Sequence, residues 1–188
     1  YRKSEDVIVD VSLKRGKVPL ESVESYYMLN NSIGYLKINR FSQTTFKEFE
    51  LAIQSLLSEG MDKMILDLRG NPGGYLHSAK QISNAFLSKN QKIVITKSNM
   101  GEEETSTAKG DGVFQKGGLI VLVNEQSASA SEIVAGAIQD NDRGWIIGRR
   151  TFGKGLVQKQ MPLGGGDAVR LTIAKYFTPS GRSIQKPY

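Results

Sequence analysis

Apolar and polar residues alternate over residues 7–13, where Val7, Val9, Val11 and Leu13 are interrupted by Asp10 and Ser12. This stretch reads as a strand, Lys14 to Lys17 as a turn, and Val18, Pro19 and Leu20 as a returning arm, which together predict a β-hairpin. Residues 33–38 read as a second strand. Phe46, Phe49, Ile53, Leu56 and Leu57 then recur at helical spacing, with Thr45 and Glu48 placed as a capping box and Gly60 as the stop. Residues 64–68 read as a short buried strand and 69–74 as a tight turn, followed by the helical stripe Leu76, Ala79, Ile82 and Phe86. After a short strand at 93–95, residues 98–118 are polar and Gly-rich and are expected to form a mobile surface loop. Residues 119–123 are continuously apolar, like a strand buried on both faces, and Ala130, Ile133, Val134, Ala137 and Ile138 form the clearest helical stripe in the chain. Strands at 145–147, 155–160 and 168–177 complete the set. Repeated strand–helix units predict a layered α/β domain with right-handed crossovers, whose sites lie where strands end and helices begin.

Composition narrows the chemistry. The chain has 188 residues, enough for one globular domain with a sizeable core. Its net charge of +6 is spread along the chain, unlike the clustered stripe of a nucleic-acid binder. With no Cys, a disulfide scaffold, a thiolate zinc site, an iron–sulfur cluster and a cysteine nucleophile are all excluded, and the single His excludes a His-pair metal motif. The longest apolar run, 119–123, is far shorter than the ~20 residues that span a bilayer, and no signal pattern opens the chain. A hairpin with nothing before it is expected of a fragment of a longer protein.

Two strand–helix junctions carry unusual residues. In Asp67-Leu68-Arg69-Gly70-Asn71-Pro72-Gly73-Gly74 a strand runs into a Gly-Gly pair at a helix start. Amides there suit an oxyanion, although two glycines also serve a tight turn. Asn124-Glu125-Gln126-Ser127-Ala128-Ser129-Ala130-Ser131-Glu132 joins the most apolar strand to the best helix. A Ser at such a turn is placed as a nucleophile, or simply as an N-cap, and three Ser compete for the position. The base for such a Ser is His77, if the two junctions adjoin, or a Lys whose burial suppresses its charge. Lys154, between two glycines in Thr151-Phe152-Gly153-Lys154-Gly155, is the Lys in such a setting.

These blocks, with Tyr176-Phe177-Thr178-Pro179-Ser180-Gly181-Arg182-Ser183-Ile184-Gln185 as the last, resemble in order those of the C-terminal processing peptidases, or tail-specific proteases, over roughly residues 30–185. The resemblance implies a crotonase- or Clp-protease-like α/β core of strand-strand-helix units with a mixed sheet. It implies a serine endopeptidase acting near or at the C-terminal tails of polypeptides, with Ser129 as nucleophile, Lys154 as base and no metal or cofactor. Gln158 matches a residue credited with orienting the Lys, yet four residues of ideal strand span about 13 Å, so a bend at Gly153 or Gly155 is required. Asp140 matches an Asp once grouped with the catalytic residues, but it stands about 16 Å along the helix from Ser129 and is read as structural. Gly74 and Ala130 are the oxyanion-hole candidates, and Gly73, Glu132 and Thr151 the supporting ones. The resemblance also implies that residues 1–28 are the hairpin end of a PDZ domain or its connection, and that 29–188 are a catalytic core cut short at its C-terminal end. It further implies a bacterial cell-envelope or periplasmic location, no nucleic-acid partner, and compatibility with a homo-oligomer. The competing readings are a non-catalytic ligand- or peptide-binding module on the same fold, and a penicillin-recognising hydrolase. The latter needs Ser-x-x-Lys on a helix, and none of the helical stripes carries it.

Overall fold

The computed structural model describes residues 1–16 and 20–187. The elements in chain order are β1 (Val23–Met28), β2 (Ile33–Ile38), α1 (Thr45–Ser58), β3 (Lys63–Asp67), α2 (Leu76–Phe86), β4 (Lys92–Ser98), β5 (Glu103–Thr107), β6 (Gly118–Val123), α3 (Ala130–Asp140), β7 (Trp145–Gly148), β8 (Leu156–Gly164) and β9 (Asp167–Phe177).

A mixed five-stranded sheet has the order β1-β2-β3-β6-β7, and a second, antiparallel sheet the order β5-β4-β9-β8. In the first, β2, β3, β6 and β7 run parallel, and β1 is antiparallel to β2. Parallel neighbours need a crossover, and α1, α2 and α3 supply the three crossovers. The apolar stripes of the helices become the core: Phe49, Ile53 and Leu56 from α1, Ile82 and Phe86 from α2, and Ile133, Val134 and Ile138 from α3 are all buried against Leu36, Leu66 and Val121 of the sheet. Each such side chain contributes ~1.5–3 kcal/mol of burial. Helix α3 is buried over residues 130–138 because it packs against α2, β4 and β7 at once.

The pattern reading needs four corrections. Residues 7–16 form no strand: an isolated bridge between Arg2 and Val7 is their sheet-like contact, and Ile8 and Leu13 are 79% and 89% exposed. An alternating stretch becomes a stable strand only against partner strands, and among the described residues none faces it. The expected arm at Lys17, Val18 and Pro19 lies outside the described residues. Within the segment assigned to a hairpin, β1 belongs instead to the core sheet, so a division at residue 28 cuts through that sheet. The expected loop at 98–118 contains β5, a polar edge strand held to β4 by its ladder and by a Lys97–Glu103 ion pair of 2.9 Å. Finally, the N-cap of α1 is Thr44 and the expected Thr45–Glu48 capping box does not form: Thr44 Oγ1 donates to Glu48 Oε1 at 2.6 Å, while Glu48 Oε2 accepts the Ser22 and Val23 N–H groups and ties the helix to β1.

Candidate active site

Strands β3 and β6 pair in parallel with Asp67 opposite Leu122, so the turns that leave their C-terminal ends lie side by side. Hydrogen bonds stitch the two turns together. Ser127 Oγ donates to Leu68 O at 2.8 Å, Gly70 N–H to Asn124 Oδ1 at 2.9 Å, and Ala128 N–H to Asn71 O at 3.0 Å.

This stitching sets the three Ser apart. Ser127 and Ser131 are fully buried with their hydroxyls committed to the carbonyls of Leu68 and Asn71. Ser129 is half-buried and sits at φ 54°, ψ −108°, a backbone conformation that non-Gly residues rarely adopt and that costs of order 1–3 kcal/mol. A strained Ser at a strand-to-helix turn is the geometry of a nucleophile elbow, which lifts the hydroxyl clear of both elements.

The Gly-Gly pair packs directly against this elbow. Gly73 has φ +94°, and a Cβ there would lie 2.5 Å from Ala128 O and 2.9 Å from Ser129 Cβ. Gly74 forms a parallel bridge with Phe41, in which Phe41 N–H donates to Gly73 O and Tyr75 N–H to Phe41 O. Both flanking groups therefore face Phe41, and the Gly74 N–H faces the other way, on an exposed residue. Neither Gly74 N–H nor Ala130 N–H donates to any protein group among the described residues. Two uncommitted amides near a serine hydroxyl are groups from which an oxyanion hole could be built.

Glu132, one turn into α3, joins the elbow to the loop between β7 and β8. Only 6% exposed, its carboxylate accepts four hydrogen bonds. Oε2 takes the N–H of Ser129 and of Lys154, each at 2.8 Å, and Oε1 takes Thr151 Oγ1 at 2.7 Å and Gly153 N–H at 2.6 Å. Phe152 N–H adds a bond to Ser127 O at 3.0 Å. The loop is gripped from its other side as well, where Lys186 N–H donates to Gly153 O and Gly155 N–H to Gln185 Oε1. Lys154 is half-buried, and among the described residues its Nζ makes no ion pair.

Ser129, Ala130, Glu132, Gly73, Gly74, Thr151 and Lys154 thus converge. Gln158 does not join them: it is exposed on β8, with its amide bonded to none of these residues. The chain does turn at Gly153, with φ +87°, and the β8–β9 register shifts between Val157 and Gln158, but Gln158 makes no hydrogen bond to Lys154 among the described residues. His77 lies on the exposed face of α2. Asp140, at the far end of α3, accepts from Ser180 N–H and Oγ and from Arg182, holding the chain after β9. Burial pushes its pKa up, but donors from Ser180, Thr178 and Arg182 outweigh that and hold it below the usual carboxylate value.

Sequence reasoning missed the turn's own framework. Asn71 is fully buried between the junctions, and Asp67, 1% exposed, holds the Arg69 guanidinium through both carboxylate oxygens and Tyr35 through its hydroxyl at 2.7 Å. Burial raises the Asp67 pKa, yet Arg69 and Tyr35 together hold it low, while burial and Asp67 push Tyr35 up to about 12. A polar Asn and a lone Asp within a turn motif were the available signals. Among the described residues no group of three or more His, Cys, Asp or Glu is placed to hold a metal.

Comparison with known proteins places this geometry. Residues 32–187 match the model of peptidase family S41. The chain is 43% identical over 155 residues to the carboxyl-terminal-processing protease of Synechocystis sp., covering 82% of this chain and 36% of that protein. It is 42% identical over 178 residues to the carboxy-terminal processing protease CtpA of Bacillus subtilis, covering 95% and 38% respectively. It therefore spans less than half the length of these curated relatives. Among solved structures, the photosystem II D1 C-terminal processing protease superposes with a TM-score of 0.80 at 32% identity, over 93% of this chain and 48% of that one.

Proposed function

The chain belongs to peptidase family S41, and from that premise we propose that it is the catalytic core of a serine endopeptidase that cleaves polypeptides near or at their C-terminal tails. Ser129 Oγ attacks the scissile carbonyl as Lys154 Nζ takes its proton, and the Gly74 and Ala130 N–H groups hold the oxyanion. Collapse of the tetrahedral intermediate breaks the C–N bond, and the Lys154 ammonium returns the proton to the leaving amine. Water, deprotonated by Lys154, then attacks the ester carbonyl; the C–Oγ bond breaks and the Lys154 ammonium returns the proton to Ser129 Oγ, releasing the acid product.

The observation that carries this reading is the Glu132 carboxylate, which binds the backbone of both proposed partners, Ser129 and Lys154, through one oxygen. A simple helix cap would not need the second strand–loop segment. The exposed apolar residues at 7–13 support a connection toward a PDZ domain that recruits the tail by strand addition. The location that goes with this reading is the bacterial cell envelope; among the described residues no helix is long and apolar enough to cross a membrane.

The test is cleavage of polypeptides with an unstructured C-terminal tail by the full-length protein, with products mapped by mass spectrometry. Cuts confined to the tail region, abolished in Ser129→Ala and in Lys154→Arg, are expected, since a guanidinium stays protonated and cannot act as base. Undiminished cleavage in either variant overturns the assignment.

A further inference from the structure

Asn71 has a part in no step described above, yet its hydrogen bonds reach both turns that carry the proposed oxyanion donors. It is fully buried. Its Nδ2 donates to Ile38 O at 2.9 Å, at the end of β2, and its Oδ1 accepts the Gly73 N–H at 2.8 Å. Its main-chain carbonyl accepts Ala128 N–H at 3.0 Å and Ser131 Oγ at 3.0 Å, and its own N–H closes the turn onto Leu68 O at 3.2 Å.

These five bonds do different things. The side chain spans the gap between β2 and the Gly-Gly turn and holds the Pro72–Gly73 peptide; the next peptide, which carries the Gly74 N–H, starts from that anchored point and is held through its Gly73 carbonyl by Phe41 N–H. The carbonyl fixes the residue before Ser129 and the residue two beyond it, bracketing the elbow and Ala130 N–H. The two proposed oxyanion donors stand on separate turns leaving separate strands, and an oxyanion hole works only if both amides aim at one point. Asn71 is bonded directly to both turns, by its side chain to the Gly-Gly turn and by its main-chain carbonyl to the elbow.

We infer that Asn71 is a positioning residue for the oxyanion hole, setting the Gly74 and Ala130 amides relative to each other. Asp in its place would put a carboxylate against the Ile38 carbonyl, and Ser or Ala would not reach from the turn to both Ile38 O and Gly73 N–H. The residue's value lies in presenting one donor and one acceptor at opposite sides of a buried amide.

This inference rests on the Ser129 reading, and the experiment separates the two. In the full-length protein, Asn71→Ala and Ser131→Ala are compared with the parent for kcat and KM on a tail-bearing peptide, and for affinity toward a peptide aldehyde that adds to Ser129 and toward the cleaved peptide product. The aldehyde adduct carries the oxyanion; the product does not. Asn71→Ala is expected to lower kcat roughly 10–100-fold and aldehyde affinity in parallel, with KM and product affinity within about twofold. Ser131→Ala, which removes one bond to the Asn71 carbonyl, is expected to move the same two quantities in the same direction by roughly 3–10-fold. If Asn71→Ala does not fold, Ser131→Ala decides. A fall in melting temperature with kcat and aldehyde affinity unchanged overturns the positioning role, as does a change confined to KM. A parent protein in which Ser129 forms no aldehyde adduct overturns the Ser129 reading itself.

Discussion

Removing the Glu132 carboxylate is the perturbation whose size follows most directly from the structure. Glu132→Ala leaves three backbone N–H groups, those of Ser129, Gly153 and Lys154, without their acceptor in a site where Glu132 is 6% exposed. The Thr151 hydroxyl can turn elsewhere. An unsatisfied buried donor costs ~1–3 kcal/mol, and partial relaxation of the loop brings the expected total to roughly 3–5 kcal/mol. For a chain of this size that is a melting-temperature drop of roughly 6–20 °C. Glu132→Gln should be milder for a specific reason. Its Nε2 must face one of the two donor pairs, and the Thr151 hydroxyl can reverse to accept, whereas the Ser129 and Lys154 N–H groups cannot. The amide therefore turns toward Thr151 and Gly153, only the Gly153 bond is lost, and the cost is ~1–3 kcal/mol. Thermal unfolding gives the stability, and the rate of Ser129 labelling by a serine-directed phosphonate gives the site's integrity. Glu132→Ala should slow labelling at least ~100-fold, since it releases nucleophile and base from each other, and Glu132→Gln should lie between it and the parent. An Ala variant that melts within about 2 °C of the parent and labels within about threefold would refute the clamp.

Gly73→Ala places a methyl 2.5 Å from Ala128 O at a φ that L residues disfavour, so the elbow must shift; peptide mapping after phosphonate treatment should show Ser129 labelling reduced more than ~100-fold. Asp67 is held low by Arg69 and Tyr35, so its stabilisation is fully present above the unfolded carboxylate value near ~3.9 and is lost as pH falls through the lower folded value. Melting curves should therefore show the parent losing its advantage over Asp67→Asn from about pH 4 downward; a constant gap from pH 7 to pH 2 would contradict the ion pair. Gln158 is exposed and bonded to none of the site residues, so Gln158→Ala should leave the labelling rate within about twofold of the parent, and a loss beyond tenfold would show that it reaches Lys154.

The core was legible where burial enforces a period. The stripes of α1, α2 and α3 and the apolar run of β6 appear in the structure because each faces apolar neighbours. Edges were not legible. Residues 103–107 are a strand only because β4 offers an open ladder, and residues 7–13, with a better alternating pattern, are not a strand because nothing among the described residues pairs with them. At the site, Ser129, Lys154 and the Gly-Gly pair stood out as residue types at junctions. Their choice over Ser127 and Ser131 depends on hydrogen bonds across some sixty residues, from Ser127 to Leu68 and from Ser131 to Asn71, which no local pattern encodes. Asn71, through its side chain and carbonyl, and Phe41, through its main chain, act on residues distant in sequence and were not legible for the same reason.

The central claim is that Ser129 is a nucleophile activated by Lys154, and its most direct test is phosphonate labelling of the full-length protein followed by peptide mapping across pH. The account predicts a single adduct on Ser129 whose rate rises with pH through one deprotonation, and the loss of that rise in Lys154→Ala. An adduct on Ser127 or Ser131, or Ser129 labelling with the same pH profile after Lys154 is removed, would contradict it.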